Sequence, residues 1–319
     1  MTRSYALKAL AIAALAATGF TAQAQDTKVA IAISGWTGFA PLTLANEAGL
    51  FKKNGLDVTI KKIPQKDRHL AIASGDVQCA ATTVETWIGW NAAGVATTQI
   101  FQLDKSYGAD GMVVKPGIAK ISDLKGKTVA ASPPGTSPYF ALAWMLKKNG
   151  LSPKDVKVVN LEPQPAANAI IAGTEGIDAA MTYEPYLSAV RAKPEAGKII
   201  ATTLDYPMVM DTFGCTPKFL AENPKAAKAL ADGYFDAVEM IKAEPKKSFD
   251  IMGADVKQSG EAFEASQKYL RWQDRAANQK FFAGEHAAFS KEAADLLLEV
   301  GVIKAIPDLS KLADTQFIK

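Results

Sequence analysis

The 319-residue sequence predicts an α/β protein of two similar lobes joined by two passes of the chain. Three observations carry this expectation. Apolar strands alternate with helices of about ten residues or more, the pattern of parallel sheets covered by helices. One strand–loop–helix unit occurs twice, and a strand-rich segment late in the chain offers a way back from the second lobe to the first.

In order along the chain, the opening MTRSYALKALAIAALAATGFTAQA has Arg3 and Lys8 at its head, an apolar run, and Ala22-Gln23-Ala24 before polar sequence. That is the pattern of a secretory signal peptide, residues 1–24, cleaved after Ala24. No later stretch approaches about 18 unbroken apolar residues, so a water-soluble mature chain outside the cytoplasm is expected. The first unit, KVAIAISGWTGFAPLTLANEAGLFKKNGLDVTI, starts as a strand from Val29 to Ile33, passes a Gly/Trp loop and ends its helix at Asn54-Gly55. The second, KTVAASPPGTSPYFALAWMLKKNGLSPKDVKVV, has its strand from Thr128, a Pro/Gly loop and a helix ending at Asn149-Gly150. FKKNGL and LKKNGL are one helix stop used twice, with Lys in the last turn and Gly beyond it.

The repeat continues through AIASGDVQCAATTVET and AIIAGTEGIDAAMTYEP, which each close on Thr-x-Glu, at Thr83/Glu85 and Thr182/Glu184. GMVVKPG then leads out of the first lobe and KIIATTLDYPMVMDTFGCTPKFL returns to it. These crossings divide the mature chain into a first lobe, 25–111 and 206–319, and a second, 112–205. From about Pro217 onward the apolar spacing is helical, at i, i+3 and i+4.

Composition and motif content bear on function chiefly by exclusion. Net charge is +3, and loss of Arg3 and Lys8 with the signal leaves +1 (3 − 2), which suggests neither nucleic acid nor an anionic membrane surface as partner. The two histidines, His69 and His286, lie far apart with no His or Cys at ligand spacing, so no metal motif forms. A G-x-S-x-G elbow, a Walker loop and a G-x-G-x-x-G turn are all missing. No enzyme and no cofactor is therefore expected. Cys79 and Cys215 both sit in strand-like apolar sequence, either as small core residues or, in an oxidising compartment, as a disulfide.

The signal, the two α/β units, GWTGFAPLTLANEAGLFKKNGLDV, ASGDVQCAATT, DLKGKTVAASPPGTS and AAMTYEPYLSAV together resemble the periplasmic solute-binding proteins of the nitrate/sulfonate/taurine class of ABC importers. The likeness runs over essentially the whole mature chain. It implies a bilobed periplasmic-binding-protein fold (type II) with a two-crossing hinge, a monomer that captures a small molecule and passes it to an ABC permease in the inner membrane. The same superfamily includes pyrimidine synthases of the thiamine pathway, so a secreted enzyme of that type is the alternative from another class.

Ligands of open α/β sheets gather at the carboxyl ends of the strands, where the loops SGWTGFAP, TTVETW, LDKSYGADG, SPPGTSP and TYEPY fall. The candidate ligand-binding residues are Trp36, Thr83, Glu85, Asp104, Ser106, Tyr107, Ser137, Glu184 and Asp211. Trp36 is either a cleft wall or a core tryptophan. Glu184, in a position the resemblance marks as acidic across relatives, suits an interlobe role, and Asp110, between Gly108 and Gly111, reads as a hinge residue. These loops hold several carboxylates against one base, Lys105. A small nitrogen-containing cation, guanidine- or amine-like, is the expected ligand, held by charged hydrogen bonds and an indole face. A sulfonate or taurine, bound at the helix N-terminus at Ser137, is the alternative within the class.

Overall fold

The computed structural model describes residues 26–319, so the signal-peptide expectation lies outside the described residues. The chain forms β1 (Thr27–Ile33), β2 (Leu56–Lys62), β3 (Cys79–Thr83) and β4 (Thr98–Ser106) before it first crosses over. It then builds β5 (Asp110–Val114), β6 (Thr128–Ala131), β7 (Lys157–Asn160), β8 (Ala179–Tyr183) and β9 (Lys198–Thr202), and crosses back to β10 (Met210–Cys215) and β11 (Leu270–Trp272). The first sheet is ordered β11-β4-β10-β3-β1-β2 and the second β7-β6-β8-β5-β9. This is the bilobed periplasmic-binding-protein architecture, with crossings at 107–109 and 203–209.

The sequence repeat is a repeat of topology. β2-β1-β3 and β7-β6-β8 are the same parallel trio, and each is followed by an antiparallel strand supplied from across the hinge, β10 in one lobe and β5 in the other. The expectation of parallel sheets is thereby corrected to mixed ones. A crossing strand enters its sheet from the hinge end, where the parallel strands finish, and so runs against them. A second correction concerns the tail: KYLRW, inside the region read as helical, contributes β11, which pairs with β4 over three residues.

Cys79 and Cys215 stand opposite one another on β3 and β10 and form a disulfide. Phe101, Phe213, Tyr234 and Phe235 stack beneath the first sheet. The helix His286–Glu299 packs back toward the second sheet, where Phe289 meets Phe140 and Trp144. Val84 and Ile88, just behind the end of β3, belong to the same apolar cluster. Among the described residues no helix is long and apolar enough to cross a membrane.

Candidate functional site

Register across the first sheet brings the acidic residues together. Asp211 opposes Thr83 on β3 and Asp104 on β4. Directly opposed residues of antiparallel strands point to the same face, with Cβ atoms about 5 Å apart. A bulge in the β4–β10 pairing next to Asp211 sets this opposition, a device that commonly re-aims side chains at sites. The carbonyl of Leu103, at the bulge, accepts hydrogen bonds from the Tyr234 hydroxyl and the Gln273 amide. The second sheet repeats the arrangement, with Asp110 at the head of β5 opposite Tyr183 at the end of β8. Asp110 and Asp211 are thus topological counterparts, one from each lobe.

Both aspartates line a cavity of about 20 Å³ between the lobes, together with Trp36, Phe39, Gln65, Arg68 and others. Asp104 stands one strand behind Asp211, and Glu85 lies in the first turn of the helix Val84–Ala92. All four carboxyls are buried, and both oxygens of Glu85 and one oxygen each of Asp104 and Asp110 make no hydrogen bond. Burial pushes Glu85 up to about 8, opposed by the neighbouring Thr83 and Ser137 hydroxyls and reinforced by the Asp110 carboxyl. Burial, with Glu184 nearby, pushes Asp110 up to about 7. Asp104 and Asp211 are both held well above the carboxylate range, by burial first and by neighbouring carboxyls second. Like charges placed directly opposite destabilise a sheet, so this row is a cost to the fold.

Among the described residues that line the cavity, one is a cation, Arg68, and it stands near Asp211. Arg68 is buried, bonded through its guanidinium to the carbonyls of Ile63 and Ala81 and set over the Phe39 ring at 5.6 Å. Burial lowers it to about 10, so it keeps its charge near neutrality. Trp36 Nε1 donates to Asp104 at 3.4 Å, and the indole meets Tyr183 of the other lobe edge to face at 5.3 Å. Both readings of Trp36 therefore hold: it is packed into the first core and it forms a wall of the cleft. Gly38 is required for this contact, because a Cβ there would fall 2.1 Å from Asp104 Oδ2 and 2.2 Å from Trp36 Nε1. Ser137 lines the cavity with its hydroxyl unbonded, and Thr83 Oγ1 lies 2.9 Å from Thr86 Oγ1.

Five sequence candidates lie outside the cavity lining: Glu85 and Asp104 stand behind it, and Ser106, Tyr107 and Glu184 sit elsewhere for reasons of packing. Ser106 bonds Thr203 Oγ1 at 2.6 Å and accepts from the Asp110 amide at 3.1 Å, pinning the two crossings to each other. Tyr107 is 49% exposed and lies under the Arg271 guanidinium, away from the cavity. Glu184 is buried against Arg191, which also donates to the Gly108 carbonyl at 2.9 Å and stacks on Tyr269 at 3.8 Å. Asp110, expected at the hinge, directly follows the first crossing and also forms part of the cavity wall. The sequence reading passed over Gln65 and Arg68, whose only local signal is a polar helix start, QKDRH.

Two α/β lobes of matched topology on a two-crossing hinge, closing on a small polar cavity, define the periplasmic-binding-protein class. The chain belongs to the NMT1/THI5-like family, whose model matches residues 36–248. It is 32% identical over 248 residues to the taurine-binding periplasmic protein of Escherichia coli (strain K12), covering 73% of this chain and 72% of that one. Among solved structures, it is similar to the alkanesulfonate-binding protein SsuA from Xanthomonas axonopodis pv. citri bound to MOPS, with a TM-score of 0.79, 17% identity, and 92% and 99% of the two chains covered. The desulfurization enzyme DSZB also shares the fold, at a TM-score of 0.65, 15% identity, and 92% and 97% coverage. The architecture alone thus decides neither ligand nor catalysis.

Proposed function

We propose that this protein is the extracytoplasmic solute-binding component of an ABC importer, and that its ligand is a small nitrogen-rich cation, guanidine- or amine-like. The observation that carries the ligand reading is that Asp110 and Asp211 line one small cavity, with Asp104 and Glu85 behind them and Arg68 the one cation among the described lining residues. A carboxylate pair of this kind costs stability unless something positive enters between its members. A guanidinium or ammonium group there gains charge-assisted hydrogen bonds, and the Trp36 indole adds a cation–π face. Cavity size supports the same choice, since about 10–15 Å³ of such space holds one water and this site has about 20 Å³. Closure of the lobes over the ligand, and recognition of the closed form by a permease, follow the hinge motion of bilobed binders.

Taurine is the second reading. Arg68 and the unbonded Ser137 hydroxyl offer a place for a sulfonate while the aspartates face an ammonium, and the E. coli relative is named for taurine. The function is tested by a thermal-shift panel at millimolar guanidinium, methylammonium, urea, taurine, methanesulfonate and nitrate. Stabilisation by guanidinium or methylammonium is expected. Stabilisation by methanesulfonate and nitrate alone contradicts the cationic reading, and stabilisation by taurine alone favours the second. Recovery of the ligand chemically unchanged after prolonged incubation separates a receptor from an enzyme.

A further inference from the structure

Ser34, Gln65 and Tyr183 line the inner cavity and also line a second, outer pocket of about 260 Å³, formed further by Lys62, Glu162 and Tyr186. These shared residues are the partition between a small inner chamber and a roomier vestibule at the mouth of the cleft. Gln65 is the one among them whose side-chain amide spans both lobes. Its Nε2 donates to Thr82 Oγ1 at 2.8 Å and to Thr86 Oγ1 at 2.9 Å on the first-sheet side. Its Oε1 accepts from the backbone amide of Ser137 at 3.1 Å, at the start of the helix Ser137–Lys148 on the second-lobe side. That helix has no side-chain cap of its own, because Thr136 Oγ1 donates instead to the Pro133 carbonyl at 2.7 Å. Gln65 therefore caps a helix of the opposite lobe, a contact that separation of the lobes would break.

We propose that Gln65 is the gate of the cleft: its amide ties the lobes together over the inner cavity and sets the size of ligand that the closed protein accepts. A ligand confined to the inner chamber leaves the Gln65–Ser137 bond intact. A substituent that extends into the vestibule must pass beside Gln65 and Tyr183, and it breaks that bond. Gln65 thus acts as a specificity-determining residue through closure. This inference rests on the reading of the cleft as a cation site, with guanidinium as its probe.

The test uses the mature chain and two variants, Gln65→Ala, which removes amide and bulk, and Gln65→Met, which keeps the bulk and removes the hydrogen bonds. Affinities for guanidinium and n-butylguanidine are measured by calorimetry, and exchange of the Ser137 amide is followed by NMR at saturating guanidinium. In the wild type, guanidinium slows Ser137 exchange and binds at least about ten-fold more tightly than n-butylguanidine, the scale of a few mismatched contacts. Both variants lose the slowing and about five-fold in guanidinium affinity, the scale of a net hydrogen bond. Gln65→Ala narrows the size preference, and Gln65→Met retains it. Ser137 exchange that stays slow in both variants, or a size preference unchanged in Gln65→Ala, overturns the gate. Taurine is taken through the same exchange measurement. If it slows Ser137 exchange where guanidinium does not, and both variants abolish the effect, the gate stands and the cationic reading falls.

Discussion

Replacing Asp211 by asparagine removes one charge from the centre of the acidic row and changes little else in shape. Asp211 lines the cavity and has Asp104 opposite it, with Asp110 and Glu85 also raising its pKa. In the ligand-bound protein the substitution exchanges a charge-assisted hydrogen bond for a neutral one. Such bonds contribute about 1.5–3 kcal/mol, so a cation should lose roughly 10- to 150-fold in affinity. In the ligand-free protein the sign reverses. Two ionised carboxylates about 5 Å apart repel by at most about 3 kcal/mol at an effective dielectric of about 20. Protonation already relieves part of this, so a gain of about 1 kcal/mol in unfolding free energy is expected. Calorimetric titration with guanidinium and a denaturation midpoint without it give the two numbers independently. Weaker binding with greater stability marks a carboxylate kept for a ligand; unchanged affinity with lower stability would refute the reasoning and make Asp211 a structural residue.

Three further outcomes follow from the geometry. Carboxyls raised in the fold bind more protons folded than unfolded, so their stabilisation is complete below about pH 4 and lost as pH rises toward the values of about 7 for Asp110 and about 8 for Glu85. His286, lowered by burial to about 4 from 6.5, acts with the opposite sign below 6.5. The ligand-free midpoint should therefore fall from about pH 6.5 to 8, by up to about 1.4 kcal/mol per unit for each such carboxyl, while guanidinium affinity rises; a midpoint that climbs over this range contradicts the acidic cluster. Gly38→Ala drives a methyl into the Asp104–Trp36 contact and should cost about 1–3 kcal/mol of stability together with most of the ligand affinity, measured by denaturation and titration. Reduction of the Cys79–Cys215 bond, which joins residues 136 apart, should lower the unfolding free energy by up to about 5 kcal/mol on the chain-entropy scale, read from midpoints with and without reductant.

The lobed repeat was legible in the sequence because its signals are local: the paired helix stops at Gly55 and Gly150 and the short strands that follow each one. Strand direction was not, since it depends on which end of a sheet the chain re-enters after a crossing. β11 was hidden because three residues, Leu270–Trp272, are too few to display an alternation against a helical background. Asp104 could be named from its place at a strand end and Asp211 from its place on the returning segment. Their direct opposition depends on a bulge that no local pattern marks. Asp110 was taken for the hinge because Gly108 and Gly111 flank it, yet its register opposite Tyr183 mirrors Asp211 opposite Thr83. The Thr-x-Glu alignment, which pairs Glu85 with Glu184, is off by one from the register of the sheets. Glu184 consequently turns to Arg191 at the hinge, and Glu85 faces the acidic cluster. Arg68 lies in a polar helical stretch, and only the carbonyls of Ile63 and Ala81 reveal how it is accommodated inside.

A cation entering the cleft must displace protons from carboxyls that the empty fold holds raised. The most direct measurement is therefore a calorimetric titration with guanidinium at pH 7 in two buffers of different ionisation enthalpy. Saturable binding, with an apparent enthalpy that shifts between buffers by the amount due to net proton release, is the result a cation site requires. No binding of guanidinium or methylammonium, together with binding of methanesulfonate accompanied by proton uptake, would contradict it.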